Sequence, residues 1–207
     1  MIRKFFLGFF LGLTLVANAN NRSAELARLD SVLARQPYYL KVREQHIEQL
    51  KIQLQHEQRV QQRLRLYNEL YQNYYVFQFD SAMKYINESI EYAVKTGQTS
   101  YYVQNVIQKA DLLSIGGLYS QALESLSLLK PSALPDTLKF NYYLTLFHTY
   151  VYWADYCSDA IYAPRYREIG RQNLVSAMPF LNKCDKRYSY YMGEYSGYIL
   201  NNPLEAR

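Results

Sequence analysis

The sequence predicts an all-α fold of stacked antiparallel helix pairs, preceded by a long polar helix. Three observations carry this. Apolar residues recur at spacings of three and four along most of the chain, the pattern of one buried helix face. No stretch of useful length alternates with period two, as a half-buried strand would. Gly97, Gly116-Gly117, Pro131, Pro135 and Pro203 stand at the ends of the periodic blocks, where they punctuate helices.

The chain starts with a basic Met1-Ile2-Arg3-Lys4, an apolar run from Phe5 to Val16, and Ala17-Asn18-Ala19. Basic start, apolar core and small-x-small site make residues 1–19 a secretory signal peptide, cleaved near Asn20. The apolar run is shorter than the roughly 20 residues of a membrane span. The exported remainder is expected in the periplasm or on the periplasmic face of the envelope.

Residues 20–62 are read as N-terminal helices. Ala24, Leu26, Ala27, Leu29, Val32 and Leu33 give a first short helix that Pro37 ends or replaces with the next. From Leu40 to about Phe77 there is neither Gly nor Pro, so one long helix is expected. Ile47, Leu50 and Leu54 form its narrow apolar seam, which Glu57 and Gln61 interrupt. A homodimer seam through Leu40–Leu66 is one possible use of it, though a coiled coil sustains its heptads for longer.

Residues 63–207 are read as the repeat domain. Val60, Leu64, Leu66, Tyr67, Leu70, Tyr71, Tyr74 and Tyr75 widen the apolar stripe. Asp80 or Ser81 is expected to cap a helix that reaches Lys95, with Gly97 taking the left-handed position after it. Helices follow over Ser100–Ser114 and Ser120–Leu129, with Gly116-Gly117 as the turn between them. Asp136 is expected to cap the next, over Thr137–Tyr156. Pro164 opens another, Pro179 marks a kink or boundary, and Asp185–Ile199 is the last.

Around Ala122 the pattern is Ala110, Leu113, Gly117, Tyr119, Ala122, Leu126 and Leu129, closed by Pro131. Around Ala82 it is Leu70, Phe79, Ala82, Ile86 and Ser89. Small residues at Ala110 and Ala122 let two helices approach, Gly117 permits the turn, and Tyr119 fills the gap to the next hairpin. This resembles the tetratricopeptide repeat (TPR). Val103–Leu129 fits best. Arg63–Val94 departs from the pattern, because Leu70 stands where a small residue is usual and no Gly precedes Phe79. Lys139–Leu181 is a degenerate third pair with Ala154 as its small residue. The resemblance implies a TPR-like α-solenoid.

Tyr190–Ile199, Asn201-Asn202-Pro203 and Ala206 look like one repeat helix, a turn and the start of another, so the repeat is expected to continue beyond Arg207. An exported start, a polar helix and Tyr-rich irregular repeats are together similar to the envelope-associated regulators of Bacteroidota. In that group a periplasmic repeat region is followed by a transmembrane helix, a coiled coil and a cytoplasmic DNA-binding module. The resemblance implies the sensory or interaction part only.

Composition narrows the function further. The formal charge of +5 drops by two, to +3, when Arg3 and Lys4 leave with the signal. No dense Lys/Arg stripe is present, so nucleic acid is not an expected partner of this region. The 23 tyrosines serve either as helix-packing filler or as the lining of a groove for a peptide or glycan. Cys157 and Cys184 can form a disulfide in an exported chain, but sequence cannot show whether they meet. Two cysteines and three dispersed histidines give no metal-ligand cluster, and no cofactor motif occurs.

No paired carboxylates, His-Asp-Ser set or phosphate loop is present, so no enzyme is expected. Asp80, Asp111 and Asp159 are isolated or capping. His148 is read as a satisfied core histidine. Binding is expected on the concave face, across the first helix of each pair. Asn73, Asn105, Gln108 and Tyr142 are the candidate ligand residues there. Tyr152, Trp153 and Tyr156 are a second candidate cluster, with Trp153 as ordinary core the alternative. A protein or peptide partner leads, and an envelope scaffold or a glycan-binding protein are the alternatives.

Overall fold

The computed structural model describes residues 25–200. The expected signal peptide, the first residues of the opening helix and the turn with Ala206 lie outside the described residues. Within them the chain is all-α, with no β-strand. The chain divides into two compact units between Gln49 and Leu50. Residues 25–33 form α1, and α2 (Gln36–His56) follows after a turn. Pro37 is the second residue of α2, where its missing N–H is one the helix could not pair anyway. Ile47, Leu50 and Leu54 are its buried stripe, as the seam predicts.

The long helix expected through Phe77 is instead broken between His56 and Val60, giving α2 and α3 (Val60–Tyr75). Side chains make the break without Gly or Pro. Oε1 of Glu57 accepts the backbone N–H of Gln58 at 3.0 Å and of Arg59 at 2.8 Å. The Arg59 guanidinium grips the same carboxylate with Nε at 3.0 Å and Nη2 at 2.7 Å. Arg63, in the first turn of α3, donates to the carbonyls of Leu54 at 2.8 Å and Glu57 at 2.7 Å, satisfying orphan groups at the end of α2. Its guanidinium also lies 5.1 Å from the ring centroid of Tyr92, so one residue joins the break to the neighbouring helix. The Arg59 hydrogen bond, above all, pulls the Glu57 carboxyl from 4.5 down to about 2. A continuous seam over Leu40–Leu66 is therefore absent.

Six helices then form three antiparallel pairs. These are α3 with α4 (Phe79–Lys95), α5 (Thr99–Ile115) with α6 (Tyr119–Ser127), and α7 (Asp136–Cys157) with α8 (Tyr162–Ala177). Each helix packs on the next, and α5 also packs directly on α7. A short α9 (Tyr188–Tyr195) ends in a π-helical turn over Ser196–Leu200. Among the described residues, no helix is long and apolar enough to cross a membrane.

The small residues of the repeat sit at the crossings. Ala82, Ala110, Ala122 and Ala154 are fully buried, and so is Leu70. One core gathers Val106, Ile107, Ala110, Leu113, Ala122, Leu126 and Tyr142, and a second gathers Phe140, Phe147, Val151, Leu174 and Tyr191. Both predicted glycine stops are formed. Gly97 (φ +68°) and Gly117 (φ +77°) take the left-handed position. The N–H groups of Gln98 and Leu118 then reach back to the carbonyls of Ala93 and Leu113, both at 2.8 Å.

The expected caps differ at two helix starts. Asp80 and Ser81 lie inside α4, whose N-cap is Gln78. Asp136 is the first residue of α7 rather than its cap, and it pairs there with Lys139 at 2.8 Å. Both acids still favour the positive end of the helix dipole. Asp159 stands two residues before the N-cap of α8, Ile161, and its Oδ1 accepts the N–H of Ile161 at 2.8 Å and of Tyr162 at 2.7 Å. The last helix starts three residues after Asp185, because that carboxylate accepts the N–H of Arg187 in a turn at 2.8 Å.

The third pair has a second small residue that sequence reading missed. Gly170 on α8 faces α7 so closely that a Cβ there would sit 3.1 Å from Val151 Cγ2 and 3.4 Å from the Phe147 carbonyl oxygen. Gly170→Val should therefore destabilise the domain by about 1–3 kcal/mol in urea unfolding, the usual cost of overpacking. Glu57 supplies a pH test. Its folded pKa is depressed, so its contribution is complete above about pH 4.5 and disappears as pH falls to about 2. Thermal melts of Glu57→Gln should lie below those of the unsubstituted protein at pH 6 and converge with them near pH 2.

Candidate functional site

The first helices of the pairs, α3, α5 and α7, line a cleft of about 480 Å³ that α9 closes at one side. Gln72 and Tyr75 come from α3. Gln104, Ile107, Gln108, Asp111 and Ile115 form one stripe of α5. Leu138, Asn141, Leu144, Thr145, His148 and Tyr152 form one stripe of α7. Arg187, Tyr190 and Tyr191 come from the start of α9 and the residue before it. Spacings of three and four keep each stripe on one face of its helix.

Polar bonds between helices hold these faces in place. The Tyr71 hydroxyl donates to the Gln108 carbonyl at 3.0 Å, and the Gln108 amide donates to Asn68 Oδ1 at 3.1 Å, tying α3 to α5. Between α5 and α7 the hydroxyls of Ser114 and Thr149 lie 2.6 Å apart. One donates to the other, and the acceptor donates to a carbonyl of its own helix, Ala110 or Thr145. Both hydroxyls are buried, so each needs such a partner.

The chemistry of the cleft is that of acceptors and tyrosines. The Tyr75 hydroxyl donates to Asp111 Oδ2. Burial first, then the Asp111 carboxylate, pushes the Tyr75 hydroxyl well above its ordinary range. The same two causes, in the same order, raise Tyr152, with Glu194 contributing further. Both phenols are neutral at physiological pH, as an ordinary tyrosine is, and burial moves them further from ionisation. Oε1 of Glu194, on α9, receives the Tyr190 hydroxyl at 3.2 Å and lies 3.3 Å from Nε2 of His148, on α7. The His148 ring stacks on Tyr152 at 5.6 Å. Among the described residues, no three His, Cys, Asp or Glu side chains gather to hold a metal.

Of the seven candidate ligand residues, Gln108 and Tyr152 line the cleft. Asn73 is half-buried and bonds the Glu69 carbonyl of its own helix at 2.9 Å. Asn105 is 2% exposed and donates to Ser89 Oγ at 2.7 Å, inside the α4–α5 packing. Tyr142 is buried in the core around Ala110. Each of these three is next in sequence to a lining residue: Gln72, Gln104 and Asn141. One residue on a helix is a rotation of about 100°, enough to move a side chain from the cleft into the packing. Trp153 and Tyr156 lie apart from the cleft, grouped with Tyr119. Trp153 stacks on Tyr119 at 5.7 Å and on Tyr166 at 4.6 Å, and Tyr156 is 79% exposed. Cys157 and Cys184 are free thiols.

His148 was legible as a satisfied histidine, but its partner Glu194 lies 46 residues away and gives no local signal. The burial of Asn105 is testable. Asn105→Ala should cost about 1–3 kcal/mol by leaving Ser89 without its donor, whereas Gln104→Ala, on the cleft wall, should leave the urea midpoint within error.

The stacked pairs, the glycine stops and the small residues at the crossings are those of a TPR domain. Residues 33–202 match the SusR N-terminal TPR domain family. No curated protein and no solved structure matches the chain. The matched span includes every pair of the solenoid and the whole cleft, and the chain belongs to the SusR N-terminal TPR domain family.

Proposed function

We propose that this chain is an exported interaction domain that binds a protein or peptide partner in the cleft, as the sensory part of a longer transmembrane regulator of the cell envelope. The cleft carries this reading. Three first helices present polar and aromatic side chains along one concave face, and TPR folds are interaction modules. Its volume suits an extended segment of a few residues. The leader-like residues 1–19 support export, and the N-terminal position named for the family supports a longer protein.

A glycan in the same cleft is the second reading. Tyr75, Tyr152, Tyr190 and Tyr191 favour it, because phenol rings stack on sugar faces and offer hydroxyls.

Photo-crosslinking in intact cells tests both parts. A photoreactive residue at Gln104 should give a discrete protein adduct, and one at Val94, exposed on α4, should not. Protease added to spheroplasts should digest the domain. Equal adducts at the two positions would remove the cleft from the reading, and full protection from protease would remove export.

A further inference from the structure

The lining of the cleft is unbalanced in a way that specifies its ligand, given that the cleft is the binding site proposed above. One carboxylate lines it, Asp111 on α5, and a second, Glu194 on α9, stands behind the wall against the lining residues His148 and Tyr190; both charges raise the Tyr152 hydroxyl. Asp111 receives the Tyr75 hydroxyl, and Glu194 receives Tyr190 and faces His148. Neither has a Lys or Arg partner among the described residues. The one cation of the lining, Arg187, is paired with Asp185 at 3.5 Å and lies over the Tyr191 ring at 5.2 Å.

The buried polar atoms left without a hydrogen bond point the same way. Among the described residues they are Gln108 Oε1 and Glu194 Oε2, and both are acceptors. A buried acceptor without a donor costs about 1–3 kcal/mol, so the site is short of donors and of positive charge. Tyr75, Tyr152 and Tyr190 add ring faces, which attract cations. Away from the carboxylates the lining continues in carboxamides, Gln72, Gln104 and Asn141. Carboxamides both donate and accept, which matches the alternating N–H and C=O groups of an extended peptide.

We propose that the cleft binds a peptide segment through a lysine or arginine side chain, whose charged end sits by Asp111, Gln108 and Tyr152, with the Glu194 charge behind the wall, while the carboxamides of α3, α5 and α7 hold the main chain. The cation supplies the positive charge that Asp111 lacks and a donor for Gln108 Oε1, and it does so out of bulk water, where charge-assisted hydrogen bonds are strongest.

The test is an NMR titration of the isotopically labelled protein with three probes: Ac-Ala-Ala-Lys-Ala-Ala-NH2, the same peptide with Glu for Lys, and spermidine. The lysine peptide should shift the side-chain amide signals of Gln104, Gln108 and Asn141, and the glutamate peptide should not. Asp111→Asn keeps an acceptor for Tyr75 and should weaken lysine-peptide binding about tenfold, the size of one charge-assisted hydrogen bond. Glu194→Gln, which removes the charge behind the wall, should weaken it by a smaller factor, with thermal melts confirming that both variants fold. Equal binding of the two peptides, or unchanged affinity in both variants, would overturn the cationic assignment and leave the interaction reading standing. Spermidine binding more tightly than the lysine peptide would overturn the assignment to a peptide. No shift with any probe would overturn this proposal together with the peptide reading beneath it.

Discussion

The structure depends on how closely α5 can approach its neighbours. This helix packs on α4, α6 and α7 at once. Ala110 and Ala122 supply room on the side of α6, where any larger side chain would push the pair apart. On the side of α7, contact is made through two hydroxyls, Ser114 and Thr149, which are small enough for close approach and satisfy each other. On the side of α4, Asn105 meets Ser89. Each contact is short, so each requires a small or hydrogen-bonded side chain at the crossing. A well-packed interior tolerates little change of volume at such places.

The cleft follows from that crowding. With its other faces taken, α5 has one stripe left, from Gln104 to Ile115, and this stripe faces the matching stripes of α3 and α7. The same stacking that buries Ala110 therefore presents Asp111, the next residue. Acidic, amide and phenolic groups collect on the concave side because no helix covers it. The α9 segment then adds Tyr190 to the lining, with Glu194 behind it against His148. The tyrosine hydroxyls, protonated at physiological pH in any case, are raised further by burial.

Local sequence carries the helices and their stops well, because these depend on neighbours along the chain. Gly97 and Gly117 end helices through a backbone conformation that only they adopt readily, and both were legible from their place after a periodic block. Other boundaries depend on a side chain choosing a backbone partner. Glu57 and Arg63 break a helix in a stretch whose composition favours helix throughout. Gly170 reads in sequence as a weak helix residue and becomes intelligible only beside Val151 and Phe147.

By itself the sequence determined the class of the protein: helices from period, pairs from glycine and proline stops, and repeats from small residues at fixed offsets. The tertiary structure alone decided which face of each helix is the site. Periodicity states that a helix has a buried face, but a central helix has several, and their number depends on its neighbours. Asn105 and Gln104 are equally polar and adjacent, yet one closes the α4–α5 packing and the other lines the cleft. His148 and Glu194 are ordinary residues on separate helices until the solenoid brings α9 against α7. Contacts over such distances arise from packing, which no local pattern encodes.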